Sequence, residues 1–249
     1  MGRVGQFLSL AAAHPIEALD RLRSVAEVRL DRPPDAPYEA QPAGAALAGF
    51  PVPLLLYVQE AELRVAAGTM MQGATPFRHD HSADPLLARL CYAACRALRP
   101  AVVLETGVAH GMTTAHVLAA LEANGTGTLH SIDLPPLGGR PEDIGSMVPG
   151  GLRSRWRYHR GTSRKLLPGL VRRVGPVGLF IHDSLHTAST MSVEAEAVHG
   201  ALARPAVTVW DDIAGNAFFA DYVRSRRPAF HAVIAPSRKE SPFGVCWFA

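Results

Sequence analysis

Apolar residues recur along this chain at two different periods, and the period changes near residue 101. Before that point the spacing is helical. Ile16, Leu19, Leu22, Val25 and Val28 predict a helix over 15–30, closed by the stiff polar run Asp31-Arg32-Pro33-Pro34-Asp35-Ala36-Pro37. A second helix is predicted over 54–70. A clearer one follows over 84–98, where Asp84 can cap, Pro85 suits the first turn and Leu86, Leu87, Leu90, Ala94 and Leu98 form an apolar face. From residue 101 short apolar runs alternate with helical stretches. They predict strands at 101–106, 127–133, 156–160, 177–183, 207–213, 230–235 and 243–248, and helices near 113–123, 163–173, 187–203 and 216–226. Such alternation predicts an α/β fold with a doubly wound seven-stranded sheet. The connection Pro236-Ser237-Arg238-Lys239-Glu240-Ser241-Pro242 leaves no room for a crossover helix, so the last strand is expected antiparallel. The chain thus divides into an accessory helical segment, 1–83, and a ligand-binding domain, 84–249.

The first strand and turn carry the first chemistry. Val102, Val103 and Leu104 run into Glu105-Thr106-Gly107-Val108-Ala109-His110-Gly111-Met112-Thr113-Thr114, where the glycines permit a tight bend and the threonines can cap a helix. The next strand ends in Asp133, placed to hold a ribose diol. A dinucleotide fingerprint needs three glycines around a pyrophosphate, whereas this turn has Gly107 and Gly111 with Glu105 beside them. That acid suits a cationic cofactor better. Farther on, one strand ends in His182-Asp183-Ser184-Leu185-His186 and the next in Trp210-Asp211-Asp212. Three carboxylates at adjacent strand ends repel one another, which a hard divalent cation would offset; alternatively they cap the helices that follow.

The E-x-G-x-x-x-G-x-T-T pattern followed by Ser131-Ile132-Asp133 resembles the first two motifs of class I S-adenosylmethionine-dependent methyltransferases, whose Rossmann-like sheet ends in an antiparallel strand. Gly161-Thr162-Ser163-Arg164-Lys165-Leu166-Leu167-Pro168 is similar to the adenine-contacting segment of metal-dependent O-methyltransferases of the catechol and caffeoyl-coenzyme A type. The resemblance covers roughly 85–249. It implies S-adenosylmethionine held by Glu105, Thr106, Gly107, Gly111, Thr113, Thr114, Asp133, Thr162, Ser163 and Asp183, and Mg²⁺ or a similar cation on Asp183, Asp211 and Asp212. Asn is frequent at the last of these positions, and Asp212 is a departure shared with macrolide-sugar O-methyltransferases. His186 stands where the family places a general base; its alternative is a packing or orienting residue. The implied activity is metal-dependent O-methylation of a small-molecule hydroxyl. Metal-independent N- or C-methylation, or a non-methylating scaffold or cyclase on the same fold, remain as alternatives.

Composition adds boundaries. The formal net charge is +3, with basic residues scattered; Arg153, Arg155, Arg157 and Arg160, the densest group, read as a solvated face, so no nucleic-acid partner is expected. Cys91, Cys95 and Cys246 make no disulfide framework. The apolar run Phe7 to Ala13 is interrupted by His14, Pro15, Glu17 and Asp20 too soon for a signal peptide, and no apolar stretch reaches the roughly 20 residues of a membrane span. A cytoplasmic, reduced protein is expected, with no membrane partner. Acceptor specificity is expected in the N-terminal helices, the 72–83 loop with its His79-Asp80-His81, and the 134–152 loop, which reads equally as a surface loop or a lid. Trp210 and Phe218-Phe219 could wall the cleft or fill the core, and the apolar stretch Phe50 to Tyr57 could join a homodimer interface.

Overall fold

The computed structural model describes residues 2–68, 70, 83–135, 137 and 141–249. The 79–81 histidine loop and nearly all of 72–83 lie outside them. Seven strands form one sheet: β1 Val102–Thr106, β2 Thr128–Asp133, β3 Trp156–Arg160, β4 Val177–His182, β5 Leu202–Trp210, β6 Phe230–Ile234 and β7 Phe243–Phe248, in the order β3-β2-β1-β4-β5-β7-β6. The pairs from β3 to β5 are parallel, and β7 runs antiparallel to both β5 and β6. The expected Rossmann-like architecture is therefore present, its order reversing between β1 and β4.

Nine α-helices are described: α1 Arg3–Ala13, α2 Pro15–Leu30, α3 Ala43–Leu47, α4 Leu54–Ala66, α5 Pro85–Leu98, α6 Met112–Asn124, α7 Ser163–Val174, α8 Ala188–His199 and α9 Phe218–Arg226. The pleat sends alternate strand residues to opposite faces. Val103, Leu179, Ile181, Val207 and Val209 join α3 to α6 on one side. Val102, Leu104, Phe180 and Trp210 join α7 to α9 on the other. Residues on both sides of position 83 share the first cluster, since Leu47, Leu54, Val58 and Ala61 pack with Leu87, Leu90 and Cys91. Phe50 belongs to it too, edge-on to Phe230 and Trp247, whereas Leu56 is exposed.

Several boundaries differ from the sequence reading, among them the end of the expected 54–70 helix, which stops at Ala66. Strand β5 starts at Leu202, paired with Val177, and stops at Trp210, so Asp211 and Asp212 lie just past it; the expected 187–203 helix ends at His199, before Gly200. Its first half carries Arg204-Pro205 in place of an apolar run, which hid it. Helix α1 falls inside the expected helical segment 1–83 but was given no bounds of its own; its Val4 and Leu8 are exposed. No helix of the described residues is long and apolar enough to cross a membrane.

Candidate active site

The carboxyl edge of the sheet opens into a cavity of about 840 Å³, in the size range of small-molecule sites. Its floor is the glycine turn. Gly107 has φ +83°, and a Cβ there would stand 1.9 Å from the Asp183 carbonyl oxygen, so the residue lets the turn lie directly against the acid-bearing loop. Gly111, at φ +88°, begins α6 and would meet Val148 and Gly145. The 141–152 part of the following loop packs on the turn: Gly145 and Met147 amides donate to the Ala109 and His110 carbonyls at 2.9 Å, and Ile144 reaches the cavity.

The ten residues assigned to the cofactor fall into two groups. Gly107, Thr113, Asp133, Thr162, Ser163 and Asp183 line the cavity. Thr113 Oγ1 is buried there with no hydrogen-bond partner among the described residues. Glu105, Thr106, Gly111 and Thr114 lie behind that surface. Glu105 accepts from Thr114 Oγ1 at 2.8 Å and from Ser131 Oγ at 2.5 Å, and burial pushes its carboxyl up to about 8 against those hydroxyls. Thr106 Oγ1 donates to the buried Glu194, which also bonds His182 Nδ1 at 2.7 Å. Asp133 braces the turn, accepting from the Val108 and Ala109 amides through one oxygen and from the Leu134 amide through the other. Burial raises its pKa, opposed by those amides.

The carboxylates beyond β4 and β5 are aligned by the sheet itself. The Asp183 amide donates to the Thr106 carbonyl at 2.8 Å and the Asp211 amide to the His182 carbonyl at 2.9 Å, which sets the two acids side by side. Neither acts as a helix cap, since Thr187 caps α8 and Asn216 Oδ1 accepts from the Phe218 amide before α9. Asp183, His186 and Asp211 bring ligand atoms within 4.8 Å of one another. Asp212 stands outside that trio, its Oδ2 3.6 Å from His186 Nδ1, because its left-handed backbone turns the chain after Asp211. His186 Nε2 lies 3.7 Å from Asp183 and 3.9 Å from Asp211. Burial works to lower its pKa, but these carboxylates outweigh it and raise the imidazole above its ordinary value. Burial and Asp183 likewise raise Asp211, against His186 and Lys239.

Asp211 is 99% withdrawn from solvent by side chain, and its Oδ1 has no partner among the described residues. An orphaned buried carboxylate oxygen beside a second acid and an imidazole is a donor set that fits a hard divalent cation. Its Oδ2 is taken by Lys239 Nζ at 2.7 Å. The sequence reading missed Lys239, which arrives from the β6–β7 connection. Helix α2, expected over 15–30, forms one wall of the cavity through Asp20, Arg23, Ser24 and Glu27, none of which the sequence singled out for the site. The 3–4 residue spacing of polar positions on α2 was the available signal. Trp210 is fully buried, in ring contact with Phe180, Phe218 and Tyr222, so it fills the core.

Strand order, antiparallel β7 and a cavity at the reversal point define the class I S-adenosylmethionine-dependent methyltransferase fold. Residues 104–213 match the model of a family described as a methyltransferase domain. Among solved structures, the chain is similar to an O-methyltransferase from Bacillus cereus in complex with SAH, at 12% identity and TM-score 0.53 over 82% of this chain and 95% of that one. It is equally similar to the O-methyltransferase TomG from Streptomyces achromogenes, involved in tomaymycin synthesis and in complex with SAM, at 14% identity, TM-score 0.53 and the same coverage. The SAH-bound methyltransferase PaMTH1 of Podospora anserina matches over 94% of this chain and 97% of its own, at 12% identity and TM-score 0.50. At these identities the likeness establishes the fold. No curated protein matches the sequence.

Proposed function

We propose that the chain is an S-adenosylmethionine-dependent O-methyltransferase acting on a small-molecule hydroxyl with the help of a divalent cation. The observation that carries this reading is the unpartnered oxygen of Asp211, buried just behind Asp183 and His186, which line a cavity formed by a methyltransferase-type turn. The sulfonium cofactor supplies the methyl group, and a hard cation would lower the pKa of the acceptor hydroxyl. Thr162 and Ser163 at the start of α7 flank the adenine side, and Asp133 faces the ribose. Asp183 and Asp211 hold the cation, with Asp212 at the rim. The wall from α2 and Ile144 of the 141–152 loop orient the acceptor against the methyl group, which lowers the entropic part of the barrier. His186 takes the hydroxyl proton.

The grouping of His186 Nε2 with Asp183 and Asp211 favours a second arrangement, in which the imidazole is a third metal ligand. One experiment covers both. With S-adenosylmethionine and a panel of phenolic and sugar hydroxyl acceptors, product mass spectrometry should show methylation that EDTA abolishes without unfolding the protein. His186→Ala should lower turnover about a hundredfold to ten-thousandfold. Unchanged Mn²⁺ affinity in that variant identifies a base, and weakened affinity identifies a ligand. Full turnover in EDTA would remove the metal from the reaction.

A further inference from the structure

We propose that Lys239 is a built-in counter-cation of the acid cluster, and that its ammonium and a divalent metal ion are alternative occupants of Asp211. The proposal rests on the metal reading above and concerns what the chain does when no metal is bound. Lys239 Nζ sits 2.7 Å from Asp211 Oδ2, the one charged partner within hydrogen-bond reach of that carboxylate among the described residues. Asp183 stands beside Asp211 around His186, and the half-exposed Asp212 adds negative charge from the rim, so the buried Asp211 carboxylate lies in a field of like charge. Without a cation, that arrangement costs more than it gains.

Two features mark the lysine as placed for this purpose. The first is its residue type. The chain contains only two lysines, Lys165 and Lys239, so 23 of its 25 basic residues are arginines. A guanidinium would engage a carboxylate through a two-pronged fork, whereas an ammonium is a compact point charge comparable to a metal ion and contacts one oxygen at a time. Lys165, by contrast, is exposed on α7. The second feature is the anchoring of its backbone. Asp84 accepts from the amides of Ser237, Arg238 and Lys239 and from Ser237 Oγ, which fixes the start of the lysine stem. The side chain also lines the cavity, so a displaced ammonium has space beside the acceptor site.

A divalent ion on Asp211 and an ammonium on the same carboxylate repel each other at close range. Removing the lysine charge should therefore strengthen metal binding. Mn²⁺ alone, titrated into the full chain and followed by electron paramagnetic resonance of the free ion, should bind Lys239→Met at least tenfold more tightly than the unaltered protein, with Lys239→Arg no tighter than the latter. A parallel measurement leaves the lysine in place. With both lysines ¹³C-dimethylated, saturating Mg²⁺ should move the Lys239 resonance and leave that of Lys165 where it was, the two being told apart in Lys165→Arg.

Mn²⁺ binding of equal or lower affinity in a folded Lys239→Met would overturn the proposal while leaving the metal reading intact. Absence of binding in both proteins would overturn both. Binding in Lys239→Met alone would support the proposal in its strongest form, the lysine being the resident cation. If Lys239→Met does not fold, an unmoved Lys239 resonance in metal-saturated protein refutes it.

Discussion

Glu105 shows how a single residue can belong to a site without touching its ligand. Its position in the motif invites a direct contact, yet the structure buries it beneath the turn, tied to Thr114 and Ser131, where it joins α6 to β2. Because burial raises its pKa to about 8, the folded chain holds a proton that the unfolded chain has released above its ordinary value of 4.5. Stability should therefore fall as pH rises through that window. Glu105→Gln cannot ionise, so its unfolding free energy should match that of the unaltered protein near pH 5 and exceed it increasingly towards pH 8, by a margin on the order of a few kcal/mol, with the melting temperature following in the same direction. Equal pH profiles in differential scanning calorimetry would mean that the hydroxyl donors keep the carboxylate ionised throughout. Strand-end acids and His186 were legible in the sequence because neighbouring parallel strands deliver their ends to one edge. Lys239 was not, since its partner is fixed by a hairpin register that no local pattern encodes.

At the scale of elements, the helices with buried apolar faces were read closely, α5 above all, because amphipathic spacing reports a face turned to a core. Asp84 was legible as its cap, its carboxylate accepting from the Leu86 amide at 2.9 Å, but not as the clamp on the β6–β7 connection. That second role joins elements more than 150 positions apart and depends wholly on tertiary placement. Burial works to raise the Asp84 pKa, and the surrounding amides of Ser237, Arg238, Leu86 and Lys239 outweigh it, so the net direction is down from 3.8. The stabilisation it gives is present above pH 3.8 and is lost as pH falls through the depressed folded value. Asp84→Ala should cost about 3 kcal/mol at neutral pH, from the cap and the orphaned amides together. The gap from the unaltered protein should narrow below pH 3.8. Urea denaturation at both pH values measures it, and a gap that stays constant into acid would show that the clamp acts without its charge.

The molecule as a whole combines a sheet domain with a helix that is attached inside out. Helix α2 meets the rest of the chain with its polar face: Glu17 pairs with Arg160, Arg21 donates to the Pro135 carbonyl, Thr162 donates to Asp20, and Glu27 gathers Arg164, Thr187 and Thr190. Leu19, Leu22, Val25 and Val28 are each more than half exposed, and Ala18 is the one buried side chain among the described residues of α1 and α2. The helical period was visible in the sequence, but the face it buries was not, because periodicity alone assigns the apolar side to the core. Partly exposed ion pairs contribute roughly 0–1 kcal/mol each, whereas both apolar clusters are built from residues after position 37. Deleting residues 2–36 should therefore leave a cooperatively folded chain melting within several degrees of the full-length protein. It should also strip one wall from the cavity, so S-adenosylmethionine affinity measured by calorimetry should fall about tenfold or more. In the intact chain, amides of 15–30 should exchange hydrogen faster than those of β1 and β4, and slow when the cofactor binds. A truncated chain that does not fold would place α2 within the cooperative core, and one that folds and binds the cofactor unchanged would confine the helix to the acceptor side of the cavity.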